Sequence, residues 1–116
     1  MASERRIEQL NVLIREQLSK ILDREMEFPV GSLVTITRVS ISRRVLDASV
    51  FVSTLGAPAE DILAILEKNI YMIQKTLNRA VSMRPVPKIR FEIDREELLR
   101  EGVEHSIAEL TQKGEL

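Results

Sequence analysis

A two-layer α+β domain, three strands with helices on one face, is what this sequence predicts. Three observations carry that reading. Apolar residues recur at three- and four-residue steps over 3–25, 58–83 and 95–112. They alternate, with many β-branched residues, over 33–41, 45–53 and 88–93. Prolines and glycines stand at most of the joints between these segments.

The first helix opens on Ser3 as N-cap and carries Ile7, Leu10, Ile14, Leu18, Ile21 and Leu22 along one face. Phe28-Pro29 ends it, because a residue before proline avoids the α region, and Gly31-Ser32 turns the chain. LVTITRVSI (33–41) is the first strand. Its alternation slips phase from Val34 and Ile36 to Val39 and Ile41, which either a β-bulge near Thr37-Arg38 or burial of both faces would explain. After the polar connector Ser42-Arg43-Arg44, VLDASVFVS (45–53) reads as a second strand, antiparallel to the first, with Ala48, Val50 and Val52 on one face. Phe51 falls on the other face.

Gly56-Ala57-Pro58 starts the next helix, with Glu60 and Asp61 at its positive end. Ile62, Leu66, Ile70, Ile73, Leu77 and Val81 mark its buried face. That run is long for so small a domain, so the helix either projects or bends; the small residue Ala80, near its end, stands where a bend would return the chain to the sheet. Pro85 and Pro87 end it. KIRFEI (88–93) alternates cleanly and is the third strand, after a helical crossover that allows it to run parallel to a neighbour. Asp94 and Glu97 resemble a capping box opening a last helix with Leu98, Leu99, Val103, Ile107 and Leu110 as its stripe, weakened by Gly102. The expected organisation is a domain over 1–94 and an acidic helical extension over 95–116.

The 116 residues suffice for one domain, and 44% hydrophobic with 30% charged residues is a globular balance. The chain has no cysteine, which excludes disulfides, thiolate nucleophiles and cysteine-ligated metals. No apolar run approaches a membrane span and charges run through the first twenty residues, so a cytoplasmic protein without membrane partner is expected.

The net charge of −1 conceals an uneven distribution. Residues 92–116 hold eight acids and three bases, a balance of −5, and residues 1–91 hold ten acids and fourteen bases, a balance of +4. Lys68, Lys75, Arg79, Arg84, Lys88 and Arg90 follow one another without an intervening acid. A one-sign block in a folded segment marks either a solvated surface or a phosphate-binding face. Arg43 and Arg44 are expected to share the sheet side with Lys88 and Arg90, while Lys75, Arg79 and Arg84 flank the bend.

Catalytic chemistry finds little to work with. The single histidine, His105, sits among Glu101, Glu104 and Glu109 without a further pair of ligands, and reads as a surface residue. There is no GxxxxGK[ST], GxGxxG or GxSxG. Carboxylate pairs such as Glu60/Asp61 and Glu96/Glu97 sit at helix starts, where the dipole accounts for them. With four aromatic residues, Phe28, Phe51, Tyr71 and Phe91, no multi-base stacking platform is expected. If the cationic residues met phosphates on paired RNA, the result would be recognition of a shaped RNA surface without base reading. A protein–protein adaptor docking through the sheet edge or the C-terminal helix is the alternative, and a small hydrolase using carboxylates around 96–104 is the third.

LVTITRVSIS (33–42), ASVFVSTLG (48–56) and LNRAVSMRPVPKIRFEID (77–94), in that order and spacing, resemble ribosome-binding factor A, a family of bacterial small-subunit assembly factors. RIEQLNVLIREQLSKIL (6–22) is compatible with that family's first helix. The strongest piece holds Arg84, Pro87, Ile89, Phe91 and Asp94, similar to the family pattern L-R-x-x-P-x-L-x-F-x-x-D, with Met83 and Ile89 as conservative replacements. The chain departs from the family at Arg44, where an aspartate is usual, at Ser49, where a lysine is common, and at Phe28-Pro29, where Asp-Pro is.

The resemblance implies a type II KH-like fold, α-β-β-α-kink-α-β, in which a kinked helix pair, with Ala80 at the expected kink, replaces the GxxG loop. It implies a factor without catalysis, metal or cofactor, monomeric off the ribosome, that binds the free small (30S) subunit and its 16S rRNA. It further implies a role in late maturation, including processing of the rRNA 5′ end, most needed in the cold. The RNA-binding candidates are Arg43, Arg44, Lys68, Lys75, Arg79, Arg84, Lys88 and Arg90. Charge reversal at Arg79 and Arg84 is expected to weaken subunit binding with the fold intact.

Overall fold

Residues 3–95 are described by the structure, a computed structural model. The elements are α1 (Glu4–Glu25), β1 (Leu33–Ile41), β2 (Asp47–Leu55), α2 (Ala59–Lys68), α3 (Ile70–Ala80) and β3 (Lys88–Ile93). The sheet order is β1-β2-β3, with β1 antiparallel and β3 parallel to β2. The helices cover one face of the sheet, an α+β arrangement of KH-like type. The expected helix over 95–112, with Gly102, His105 and its Asp94–Glu97 capping box, the domain boundary after residue 94 and the carboxylates around 96–104 all lie outside the described residues.

Ser3 caps α1 as expected, its Oγ accepting the Arg6 N–H at 3.2 Å. Leu10, Ile14, Leu18, Ile21 and Leu22 are buried along one face of α1. Asn11 and Arg15, one turn apart, donate to the Val39 and Ile36 carbonyls. These bonds lay α1 antiparallel along β1 and occupy part of an open strand edge.

The phase slip in β1 is a bulge: the pairing with β2 shifts between Ile36 and Arg38, leaving Thr37 as the extra residue. Thr37 Oγ1 lies 3.2 Å from the Phe51 carbonyl and 2.5 Å from the buried Asp94 carboxylate, so the bulge is tied to the end of β3. Phe51 lies half-buried on the open face of the sheet, with the Arg38 guanidinium 3.9 Å above its ring.

The second strand starts at Asp47, not at Val45. Val45 sits in the left-handed region (φ 58) of a tight connector, where Ser42 Oγ accepts from the Leu46 and Asp47 N–H groups. Its side chain is nonetheless in the core, so burial offsets a conformation that β-branched residues disfavour.

The long helix also differs from expectation. It is interrupted at Asn69 (φ −104, ψ 11), and Ala80, the expected kink, is simply the last residue of α3. Asn69 Nδ2 donates to the Ile65 carbonyl at 2.8 Å while its own N–H is shared between Ile65 and Leu66. A side-chain amide that competes for backbone carbonyls breaks a helix. Ile62 and Leu66 before the break, and Ile73 and Leu77 after it, are all fully buried. Each such side chain contributes about 1.5–3 kcal/mol of transfer free energy.

Candidate nucleic-acid interface

The chain brings cationic residues from separate segments to one end of the domain. β1 ends, and β2 begins, at the connector holding Arg43 and Arg44, both exposed. The Lys88 N–H donates to the Leu46 carbonyl at 3.0 Å, which fixes the start of β3 against that connector. The loop between α3 and β3 therefore lies at this end and carries Arg84. Arg6, in the first turn of α1, donates to the Arg84 carbonyl at 2.9 Å and brings Arg5 with it. Arg79 stands in the last turn of α3. Glu4 and Glu8, on either side of Arg5 and Arg6, and Asp47 after Arg44 are the acids closest in sequence to these groups.

Arg84 does two things. Its guanidinium donates to the carbonyls of Asn78 (3.1 Å), Met83 (3.1 Å) and Val81, closing the C-terminal end of α3. Its positive charge also sits at the negative end of that helix. Reversing it would cost structure as well as charge, so Arg84 is not the clean probe expected from sequence.

Lys88 and Arg90 point to the open face of the sheet. Arg90 donates to Ser49 Oγ at 3.2 Å and lies 3.7 Å from Glu92, which leaves it exposed but partly balanced. Lys75 is exposed on α3. It does not flank the helix break, which falls at Asn69; Lys68 does. Lys68 stands about three helical turns back along α3 from the cationic end, so the structure does not join it to the others.

A groove of about 480 Å³ runs along α3, lined by Tyr71, Gln74, Lys75, Asn78, Arg79 and Arg84. Its floor is fixed by Gln74. The Gln74 side chain accepts from the Ile89 N–H (2.8 Å) and donates to the Pro87 carbonyl (3.2 Å) and to Asn78 Oδ1 (3.0 Å). Sequence reading missed Arg5 and Arg6, which lie far from the 68–90 block, and the exposed Tyr71. Tyr71 stands four and eight residues before Lys75 and Arg79, a helical-face spacing that would have grouped the three.

Such a surface attracts anions and presents donors; it offers no nucleophile–base pair. Among the described residues, no three His, Cys, Asp or Glu side chains come together to hold a metal. No helix among them is long and apolar enough to cross a membrane.

Comparison with known proteins identifies this architecture. The family model for ribosome-binding factor A matches residues 6–107. Ribosome-binding factor A of Natranaerobius thermophilus is 37% identical over 102 residues, covering 86% of this chain and 73% of that one. The Protochlamydia amoebophila protein of the same name is 35% identical over 92 residues, covering 77% and 70%. The crystal structure of ribosome-binding factor A from Thermus thermophilus superposes with a TM-score of 0.67 at 23% identity, over 76% of this chain and 96% of that one, and shows the shared fold. A Thermus thermophilus RbfA homology model, fitted into the cryo-EM map of a 30S–RbfA complex, matches with a TM-score of 0.58 at 26% identity, over 77% and 91%. The chain belongs to the ribosome-binding factor A family.

Proposed function

We propose that this protein binds the free small ribosomal subunit through its cationic end, contacting phosphates of the 16S rRNA, and assists late maturation of that RNA, including processing of its 5′ end. It acts by binding, without catalysis or cofactor. The observation that carries the reading is the gathering of Arg6, Arg43, Arg44, Arg79 and Arg84 at one end from four separate segments. Family membership and the 30S complex of a relative support the choice of partner. Phosphate contacts carry no sequence information, so specificity comes from the shape of the folded RNA.

Co-sedimentation with free small subunits and with whole ribosomes tests this. Binding should favour free subunits and weaken with salt. Six phosphate contacts would give a slope of log K against log salt of roughly −5, by analogy with duplex DNA. Lys75→Glu with Arg79→Glu, at exposed positions whose side chains hold no other element, should weaken binding and flatten that slope by about two. Unchanged binding in the double variant would remove this face, and salt-insensitive binding lost on deleting 95–116 would favour a protein adaptor.

A further inference from the structure

We propose that Tyr71 stacks against an unpaired base of the bound RNA, with Lys75 and Arg79 holding the adjoining phosphates. The inference rests on the reading that this protein binds rRNA, and specifies what one part of the surface recognises.

The three phenylalanines of the chain are buried or half-buried, whereas Tyr71 is 81% exposed. An aromatic ring left in water inside a cationic groove has a flat apolar face to offer and no core role to explain it. Tyr71, Lys75 and Arg79 stand at successive four-residue steps of α3, about 6 Å apart along the helix. A ligand that satisfies all three must be flat and apolar at one point and carry negative charge beyond it. A nucleotide with its base unstacked has that form; a base inside a duplex has no free face.

The groove is preorganised. Gln74 is held by the backbone of Pro87 and Ile89, and Arg84 by the carbonyls at the end of α3. Asn78 Oδ1 accepts from Gln74, which leaves the Asn78 Nδ2 donors for the ligand. Gln74 and Arg84 therefore have little side-chain freedom left to lose on binding, while the exposed Tyr71, Lys75 and Arg79 are ordered by the ligand. The opening, about 480 Å³, falls within the size range of small-ligand clefts, roughly 300–1,000 Å³.

The chain has one tyrosine and no tryptophan, so its intrinsic fluorescence reports on this ring alone. The full chain is titrated with a short single-stranded RNA, a blunt-ended RNA duplex without unpaired bases, and polyglutamate as a charge control. Anisotropy of labelled RNA gives binding, and tyrosine emission corrected for RNA absorption gives contact with the ring. Single-stranded RNA should quench the emission in step with anisotropy. Tyr71→Ala should weaken single-stranded binding by about five- to 150-fold and Tyr71→Phe only slightly. The duplex should bind both variants within about twofold of the parent. Circular dichroism checks that the exposed substitutions leave the fold unchanged.

Single-stranded binding without quenching, an unaffected Tyr71→Ala variant, or equal quenching by polyglutamate would each overturn the stacking while leaving the electrostatic interface standing. Absence of binding to any RNA at low salt, with no co-sedimentation with subunits, would overturn both readings.

Discussion

Gln74 gives the most direct test of how the cationic end is held together. Its side-chain amide stands where a neighbouring strand's peptide group would, accepting from the Ile89 N–H at 2.8 Å and donating to the Pro87 carbonyl at 3.2 Å. Ile89 and Pro87 are both buried, so water replaces the amide poorly. Besides the exposed bond to Asn78, Gln74→Ala loses two backbone hydrogen bonds of about 1 kcal/mol each and leaves a buried donor unsatisfied at about 1–3 kcal/mol. Allowing for relaxation around the smaller side chain, the expected loss is about 2–4 kcal/mol. At about 4–8 °C per kcal/mol for a domain of this size, Tm should fall by roughly 8–32 °C. Gln74→Glu keeps an acceptor for Ile89 but not the donor for Pro87. The two variants therefore separate in hydrogen exchange: the Ile89 amide loses protection in Gln74→Ala and retains much of it in Gln74→Glu. Urea unfolding supplies the stability. A Gln74→Ala variant within about 0.5 kcal/mol of the parent, with Ile89 still protected, would refute the assignment of Gln74 as the clamp.

Two further stability predictions probe the opposite end and the core. Gly56 has φ 79 and faces the Gly31 carbonyl so closely that a Cβ would overlap it; Gly56→Ala should cost at least about 1–2 kcal/mol in urea unfolding, and a neutral result would refute the close approach. Leu66→Ala, at a fully buried position beside the helix break, should cost about 2–5 kcal/mol by the same measurement, whereas a loss under 1 kcal/mol would mean that α2 is not seated on the sheet.

Much of the fold was legible because each element has one buried face. α1, β1 and β3 lie where their periodicity placed them, and the bulge was visible as a phase slip before any pairing was known. The misread positions have local causes. Val45 continues a β-branched run, but the Ser42 hydroxyl draws the next two N–H groups into a turn, a hydrogen bond that periodicity does not register. Asn69 interrupts the helix while the apolar stripe continues from Leu66 to Ile73 across it, so the hydrophobic pattern showed no gap. Asn69 itself, a poor helix former in the middle of the run, was the available signal. At the candidate site, the sequence showed a cationic block over 68–90 but not its division. Lys68 stays at the helix break, Lys88 and Arg90 turn to the open face, and Arg6 joins through a contact with the Arg84 carbonyl seventy-eight residues away.

Residues 1–91 carry a balance of +4 but still include ten acids, and the chain path keeps several of these away from the cationic end. α1 lies antiparallel to β1, so its N-terminus shares an end with Arg43 and Arg44 while its C-terminus lies at the other, where Gly31 and Gly56 meet. Asp23, Glu25 and Glu27 stand there, as do Glu60 and Asp61 in the first turn of α2, with Arg24 among them. The dipole of α2 favours its two acids, but acids at the end of α1 oppose the dipole of that helix, so helix stability does not explain their position. The nine residues of β1 set the two ends about 30 Å apart, several times the Debye length of about 8 Å at physiological salt. At that separation the acidic end cannot cancel the field of the cationic one. In the proposed binding mode, RNA approaching the cationic end meets a field that the acids about 30 Å behind it do not cancel, and those acids disfavour approach in the reverse orientation, so the sorting of charge along the described domain favours one orientation.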